Sequence, residues 1–244
     1  MQTALITGSA GGIGVALCRA FRSAGYRTVG LDIELAGADC DAFIEMDLER
    51  FCIDEQYRSA AKTQLITEMD SATLRVLVNN AGVQILGDSS KLTVATWQKT
   101  LHVNVLAPFL LSQTLLEHLE HTGGSIVNIA SIHASLTKPG FVAYATSKAA
   151  LVGLTRSMAV DVGARVRVNA ICPAAIATPM LLEGFEKNQS ALDLLAGMHP
   201  IGRIGTPDEV ANVAVFLASA DAAFINGAVF GVDGGIGGRL HDPG

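Results

Sequence analysis

Charge is scarce in this 244-residue chain, and basic charge scarcer still. Charged side chains make up 16% of it, acidic residues outnumber basic ones 23 to 17, and no run of Lys or Arg exceeds two residues. A nucleic-acid-binding surface needs concentrated positive charge, so that class of function is set aside. Cysteine is also sparse. Cys18, Cys40, Cys52 and Cys172 stand apart without C-x-x-C spacing. Such spacing supports neither a zinc site nor a disulfide framework, so no metal is expected and a reducing, cytoplasmic setting is. No stretch of 18 apolar residues occurs, so no membrane span is expected. The start, MQTALITGSAGG, lacks a basic region, and its apolar run is too short for a secretory signal. Linkers, low-complexity tracts and internal repeats are missing as well. One domain over 1–244 is the expectation.

What is there is apolar and rhythmic. Half of the residues are hydrophobic, which suits a compact core. Seven short runs rich in Val and Ile, at 3–7, 27–32, 42–47, 74–80, 124–131, 165–172 and 227–234, read as strands bounded by Gly, Asn or Asp. Helical stretches at 13–24, 49–70, 93–120, 142–163 and 207–219 lie between them. That alternation predicts βαβ units: an α/β fold of doubly wound, Rossmann type, with a parallel sheet of seven strands and helices on both faces. In TPDE, Thr206 is placed to cap a helix, Pro207 to begin it and Glu209 to reach back. The stretch 179–206 follows a strand but has no partner strand, and is expected to form a partly helical lid.

TGSAGGIG, from Thr7 to Gly14, follows the first strand and opens the first helix. Gly8, Gly11, Gly12 and Gly14, with Ile13 among them, leave backbone amides and the positive helix end free to approach a pyrophosphate. The spacing is G-x-x-x-G-x-G, and a tight turn without a ligand accounts for the glycines equally well. Asp32 ends the second strand, where a carboxylate can accept hydrogen bonds from adenosine ribose hydroxyls. An ordinary strand-end Asp is the alternative. In the first reading Asp32 opposes a 2′-phosphate: two like unit charges about 4 Å apart repel by roughly 4 kcal/mol at an effective dielectric of 20. No Lys or Arg stands in the loop or directly after Asp32 to offset this, so NAD is expected rather than NADP.

YATSK places Tyr144 and Lys148 four residues apart, on one helix face. Alone, such a pair reads as helix surface. The ordered set TGSAGGIG, Asp32, NNAG at 79–82, Asn104, Ser131, Tyr144 and Lys148 resembles the short-chain dehydrogenase/reductase family over nearly the whole chain, to about Gly235. The resemblance implies that Tyr144 is the acid/base and that Lys148 lowers its pKa and holds the nicotinamide ribose. It implies that Ser131 polarises the substrate oxygen and that Asn104 holds a water in a proton relay. Asp47, Leu48, Asn80, Ala81 and Gly82 are then cofactor neighbours on the adenine side, and Pro173, Ile176 and Thr178 on the nicotinamide side. Where the family has Pro-Gly, this chain has Pro173 and Ala174, and the alanine disfavours a positive φ.

The implied activity is hydride transfer between NAD and a secondary alcohol or ketone. Gln84 and His133 match positions that bind the substrate carboxylate in family members oxidising 3-hydroxybutyrate. Phe141 and Gly184 depart from that pattern, and Lys138 stands at a different spacing. A small 3-hydroxy acid is therefore the lesser expectation beside a neutral alcohol, sugar or cyclic substrate. The rival function is a catalytically silent, NAD-binding regulator or scaffold, against which the presence of Asn104, Ser131, Tyr144 and Lys148 weighs. The family resemblance also implies a homotetramer packed through helices 104–120 and 142–163.

Overall fold

The computed structural model describes residues 1–69, 73–186 and 188–240. The expected helix end at residue 70, residue 187 of the expected lid and the last residues of the expected 1–244 domain lie outside these.

The elements run β1 (Thr3–Thr7), α1 (Gly12–Ser23), β2 (Arg27–Asp32), β3 (Ala42–Glu45), α2 (Leu48–Ile53), α3 (Glu55–Glu68), β4 (Leu74–Asn79), α4 (Val94–Leu101), α5 (Ala107–Thr122), β5 (Ser125–Ile129), α6 (Val142–Val162), β6 (Arg167–Pro173), α7 (Pro179–Glu183), α8 (Gln189–Met198), α9 (Pro207–Ala218) and β7 (Val229–Val232). The seven strands form one sheet in the order β3-β2-β1-β4-β5-β6-β7, and every pairing is parallel. The architecture expected from the apolar rhythm is therefore present. Strand order reverses direction between β1 and β4, the place where parallel sheets open a crevice at the carboxyl ends of their strands.

The side-chain alternation of β1 shows how the faces are covered. Leu5 points to a core shared with Phe51, Leu65, Leu111 and Leu115, while Ala4 and Ile6 point to one shared with Leu17, Phe21, Val210 and Leu217. These are helix residues of α2, α3 and α5 on one face and of α1 and α9 on the other. The strand therefore reads as continuously apolar because both its faces are buried.

Two expected helices differ in detail. The stretch expected over 49–70 is broken at Asp54, which ends α2 and caps α3 by accepting a hydrogen bond from Tyr57 N. The stretch expected over 93–120 contains a π-helical turn, His102–Leu106, between α4 and α5. The expected capping box at Thr206 and Glu209 is formed, with Pro207 in the first turn of α9. A buried polar chain then fixes α6 to the sheet. Asn79 donates to Asn128 at 2.8 Å, Asn128 to Thr155 at 2.9 Å, and Thr155 to the Leu151 carbonyl at 2.8 Å. Each donor here has an acceptor, which is what makes such a chain tolerable in a core. It sets the height of α6 against β5, and so of Tyr144 and Lys148 against Ser131.

Candidate active site

The crevice at the strand ends is a cleft of about 960 Å³. Its floor is the loop from β1 to α1. Gly8 has φ of 65°, a conformation glycine adopts without penalty. A Cβ on Gly8 would lie 2.8 Å from Ala81 Cα, and one on Gly14 would lie 1.9 Å from the Gly8 carbonyl oxygen. Gly11, in extended conformation, precedes the helix without a side-chain cap. The amino end of α1 is thus left bare, as an anion site there requires. A Cβ on Gly12 would lie 2.9 Å from Pro179 Cδ, so the first residue of α7 abuts the loop. Ile13 lines the cleft and packs into the core below it.

Thr7 joins this loop to the end of β4. Its hydroxyl accepts from Asn80 N at 3.0 Å and from Ala81 N at 2.9 Å. The Asn80 amide donates back to the Thr7 and Gly8 carbonyls at 2.9 and 3.0 Å. Gly82 follows at the cleft wall.

The acidic residues lie at one end. Asp32 Oδ2 accepts from Ala10 N at 2.9 Å and Oδ1 from Ile33 N at 2.8 Å, which fixes the carboxylate in the wall. Asp47 also lines the cleft, and its Oδ1 caps α2 by accepting from Glu49 N and Arg50 N at 2.9 and 3.1 Å. Leu48 is buried beside it.

Ser131, Tyr144 and Lys148 meet at the other end. Ser131, 6% exposed, caps a short turn by accepting from His133 N at 3.2 Å, and its hydroxyl shares the cleft with the Tyr144 phenol. Lys148, 3% exposed, donates to the Ile129 carbonyl at 2.8 Å, with Nζ 5.7 Å from the Tyr144 ring centroid. Burial pushes the phenol above its ordinary value, opposed by the Ser131 hydroxyl and aided by the Cys172 thiol. Burial also pulls the Lys148 ammonium down to about 8, against the opposing influence of Cys172.

Asn104 sits fully buried in the π-helical turn. Its Oδ1 accepts from Val83 N at 2.8 Å, and its Nδ2 donates to the Val83 carbonyl and to Ser147 Oγ, both at 2.9 Å. Ser147 in turn donates to the Tyr144 carbonyl at 2.7 Å. Asn104 therefore links the segment after Gly82 to the helix turn that carries the tyrosine.

Pro173, Ala174, Ile176 and Thr178 line the cleft beyond β6. No non-glycine residue among those described has a positive φ, so Ala174 adopts ordinary backbone geometry, its N–H donating to the Val232 carbonyl at 3.1 Å. Ile176 turns its side chain into the core, and Thr178 caps α7.

Gln84 lines the cleft, whereas His133 does not. The imidazole stacks on Phe141 with centroids 4.3 Å apart and holds Thr137 Oγ1 at 3.1 Å. Lys138, at what had looked like the wrong spacing, does line the cleft, with Nζ 4.8 Å from the Phe141 centroid. Thr7 and Ser147 were also missed. Their partners are distant in sequence, and only their places inside TGSAGGIG and YATSK hinted at a role.

Comparison with known proteins gives a consistent picture. A family described as enoyl-(acyl carrier protein) reductase matches residues 8–237. Protein FixR of Bradyrhizobium diazoefficiens is 39% identical over 95% of this chain and 85% of its own. D-Threitol dehydrogenase of Mycolicibacterium smegmatis is 36% identical over 96% of this chain and 92% of its own. The solved structure of 4-hydroxyisoleucine dehydrogenase complexed with NADH superposes with a TM-score of 0.88 at 29% identity, covering 98% of this chain and all of that one (100%).

Proposed function

Because the chain belongs to the short-chain dehydrogenase/reductase family, we propose that it transfers hydride between NAD and a secondary alcohol or ketone, with Tyr144 as the acid/base. The observation that carries this reading is the grouping of Ser131, Tyr144 and the buried Lys148 ammonium in one cleft that also holds a bare helix terminus.

The cleft fits a dinucleotide. Gly8 and Gly14 allow a tight turn where any Cβ would strike the loop's own neighbours, and Gly8, Gly11 and Gly12 line the cleft without side chains, which suits a pyrophosphate. Asp32 holds a fixed carboxylate where a ribose would lie, and Asp47, Leu48, Asn80, Ala81 and Gly82 complete the adenosine side. Pro173, Ile176 and Thr178 are placed for the nicotinamide, and Lys148 for its ribose. When bound, the dinucleotide supplies the hydride donor or acceptor.

The protein's own part is to hold the substrate oxygen and move its proton. Ser131 donates a hydrogen bond to that oxygen. Tyr144, kept protonated by burial, gives a proton to a carbonyl in reduction. In oxidation it must ionise, and lowering its pKa by 2 to 3 units takes roughly 3–4 kcal/mol. The Lys148 ammonium acts in that direction. With its pKa pulled down to about 8, Lys148 remains mostly charged at pH 7. Asn104 holds the Val83 and Tyr144 segments in register, consistent with a relay running past Lys148.

The fixed Asp32 carboxylate favours NAD over NADP by charge. The segment 179–206, carrying α7 and α8 and touching the loop at Gly12, is read as a lid over one catalytic domain. A homotetramer is proposed on the family pattern. The relatives named above act by name on a polyol and on a hydroxylated amino acid, and so do not choose between neutral and charged substrates.

The test is NADH formation by purified protein from NAD and a panel of small hydroxy acids, polyols and cyclic alcohols. Turnover of any member supports the reading. Tight NADH binding without turnover would favour the silent regulator.

A further inference from the structure

The charges lining the cleft are sorted along its length. Asp32, Glu34, Asp47 and Glu49 all stand at the adenosine end. Three lysines line the cleft. Lys99 is paired with Glu49 at 3.1 Å, and Lys148 is bonded to the Ile129 carbonyl. Lys138 makes no ion pair among the described residues. Its ammonium is steadied against the face of Phe141, itself stacked on His133, and both rings meet the edge of Tyr144. The separations of 4.8 Å from Lys138 Nζ to the Phe141 centroid and 6.2 Å from there to the Tyr144 centroid bound this charge within about 11 Å of the reacting tyrosine. The cleft has an apolar lining that includes Val83, Leu86, Phe141, Met180, Leu181 and Phe185, with the Gln84 amide among them. A polyol would strip its hydroxyls of water against such a wall without replacement partners. A short aliphatic chain ending in a carboxylate would match both wall and cation.

We propose that Lys138 is the anion anchor of the substrate site, and that the substrate class is a short aliphatic hydroxy or oxo acid whose carboxylate lies on Lys138 while its alcohol or ketone carbon lies at Tyr144. Gln84 faces the same compartment as the second polar group. The inference rests on the dehydrogenase reading of the same cleft. It assigns to Lys138 the task that the family resemblance implies for His133, whose ring is committed to Phe141 and Thr137.

Calorimetric titration of the NADH-saturated protein with pentanoate and with pentanamide tests it without needing turnover. Pentanoate is expected to bind at least tenfold more tightly, with an affinity that falls as salt is raised. Lys138→Met is expected to cost pentanoate about tenfold and leave pentanamide within twofold, and Lys138→Arg to keep most of the preference. Lys138 is exposed, so these variants should fold as the parent does, and circular dichroism checks that they do. Equal binding of the two ligands, or a preference that survives Lys138→Met, overturns the proposal. If neutral ketones are reduced but pentanoate shows no preference, the anchor falls and the dehydrogenase reading stands. If pentanoate binds through Lys138 while no alcohol or ketone is turned over, the dehydrogenase reading falls and the anion site remains.

Discussion

Lys148 holds a nearly fully buried ammonium against a single carbonyl. Its pKa falls from 10.5 to about 8 through burial. Between those values the unfolded chain binds more protons than the folded one, so this residue makes stability rise with pH. The gain is about 3 kcal/mol from one end of the window to the other. Denaturation of the parent and of Lys148→Met from pH 7.5 to 10.5 should therefore show the parent gaining on the variant by about that amount. Parallel curves would show that the ammonium is not strained in the fold. At the cleft's other end, Asp32→Asn keeps the side-chain shape and removes the charge. It should raise the NADP to NAD ratio of kcat/KM by tenfold or more, since even half of a 4 kcal/mol repulsion exceeds the ~1.4 kcal/mol behind each factor of ten. Tyr144, Lys148 and Asp32 were legible because their signals are local: four-residue spacing on one helix, or a carboxylate at a strand end. Thr7 was not, because its hydroxyl serves amides 73 and 74 residues away.

The π-helical turn at His102–Leu106 is the element that ties the segment after Gly82 to the helix turn carrying Tyr144. A sequence window shows only a long helical stretch there, and a one-residue widening of the helix leaves no compositional mark. Yet such turns occur mostly as single insertions at functional sites, and this one carries Asn104 inward to three hydrogen bonds. Asn104→Ala should cost about 1–2 kcal/mol, since the half-buried Val83 N–H and carbonyl lose their partners. Ser147→Ala removes one link of the same chain and should cost about 1–2 kcal/mol. In both variants kcat should fall with little change in NADH affinity. Undiminished kcat in Asn104→Ala would separate the turn from catalysis. The break at Asp54 escaped the sequence for a different reason. The residues on either side, Ile53 and Glu55, continue a helical pattern, and only the capping bond to Tyr57 N reveals two helices. The capping box at Thr206 and Glu209 was legible because its two reciprocal bonds are made within four residues.

At the scale of the whole molecule, the reversal of strand order between β1 and β4 brings loops from opposite halves of the chain to one crevice. The seven-stranded parallel sheet followed from apolar runs alternating with helical stretches, while the order of its strands did not. What the crevice wants as substrate did not follow, because its apolar lining is assembled from three separate segments, 83–86, 141 and 180–185. For the assembly, Phe109 on α5 and Val142 and Val160 on α6 leave apolar side chains exposed. Light scattering on the purified protein should report four times the 25.4 kDa chain mass, and a single-chain mass would rule out the proposed tetramer. The central claim is that one phenol moves the proton. The measurement that addresses it most directly is steady-state ketone reduction with NADH by the parent and by Tyr144→Phe, alongside NADH binding. The account predicts a fall in kcat of about 10² to 10⁴, with NADH affinity held within twofold. Turnover by Tyr144→Phe at the parent's rate would contradict it.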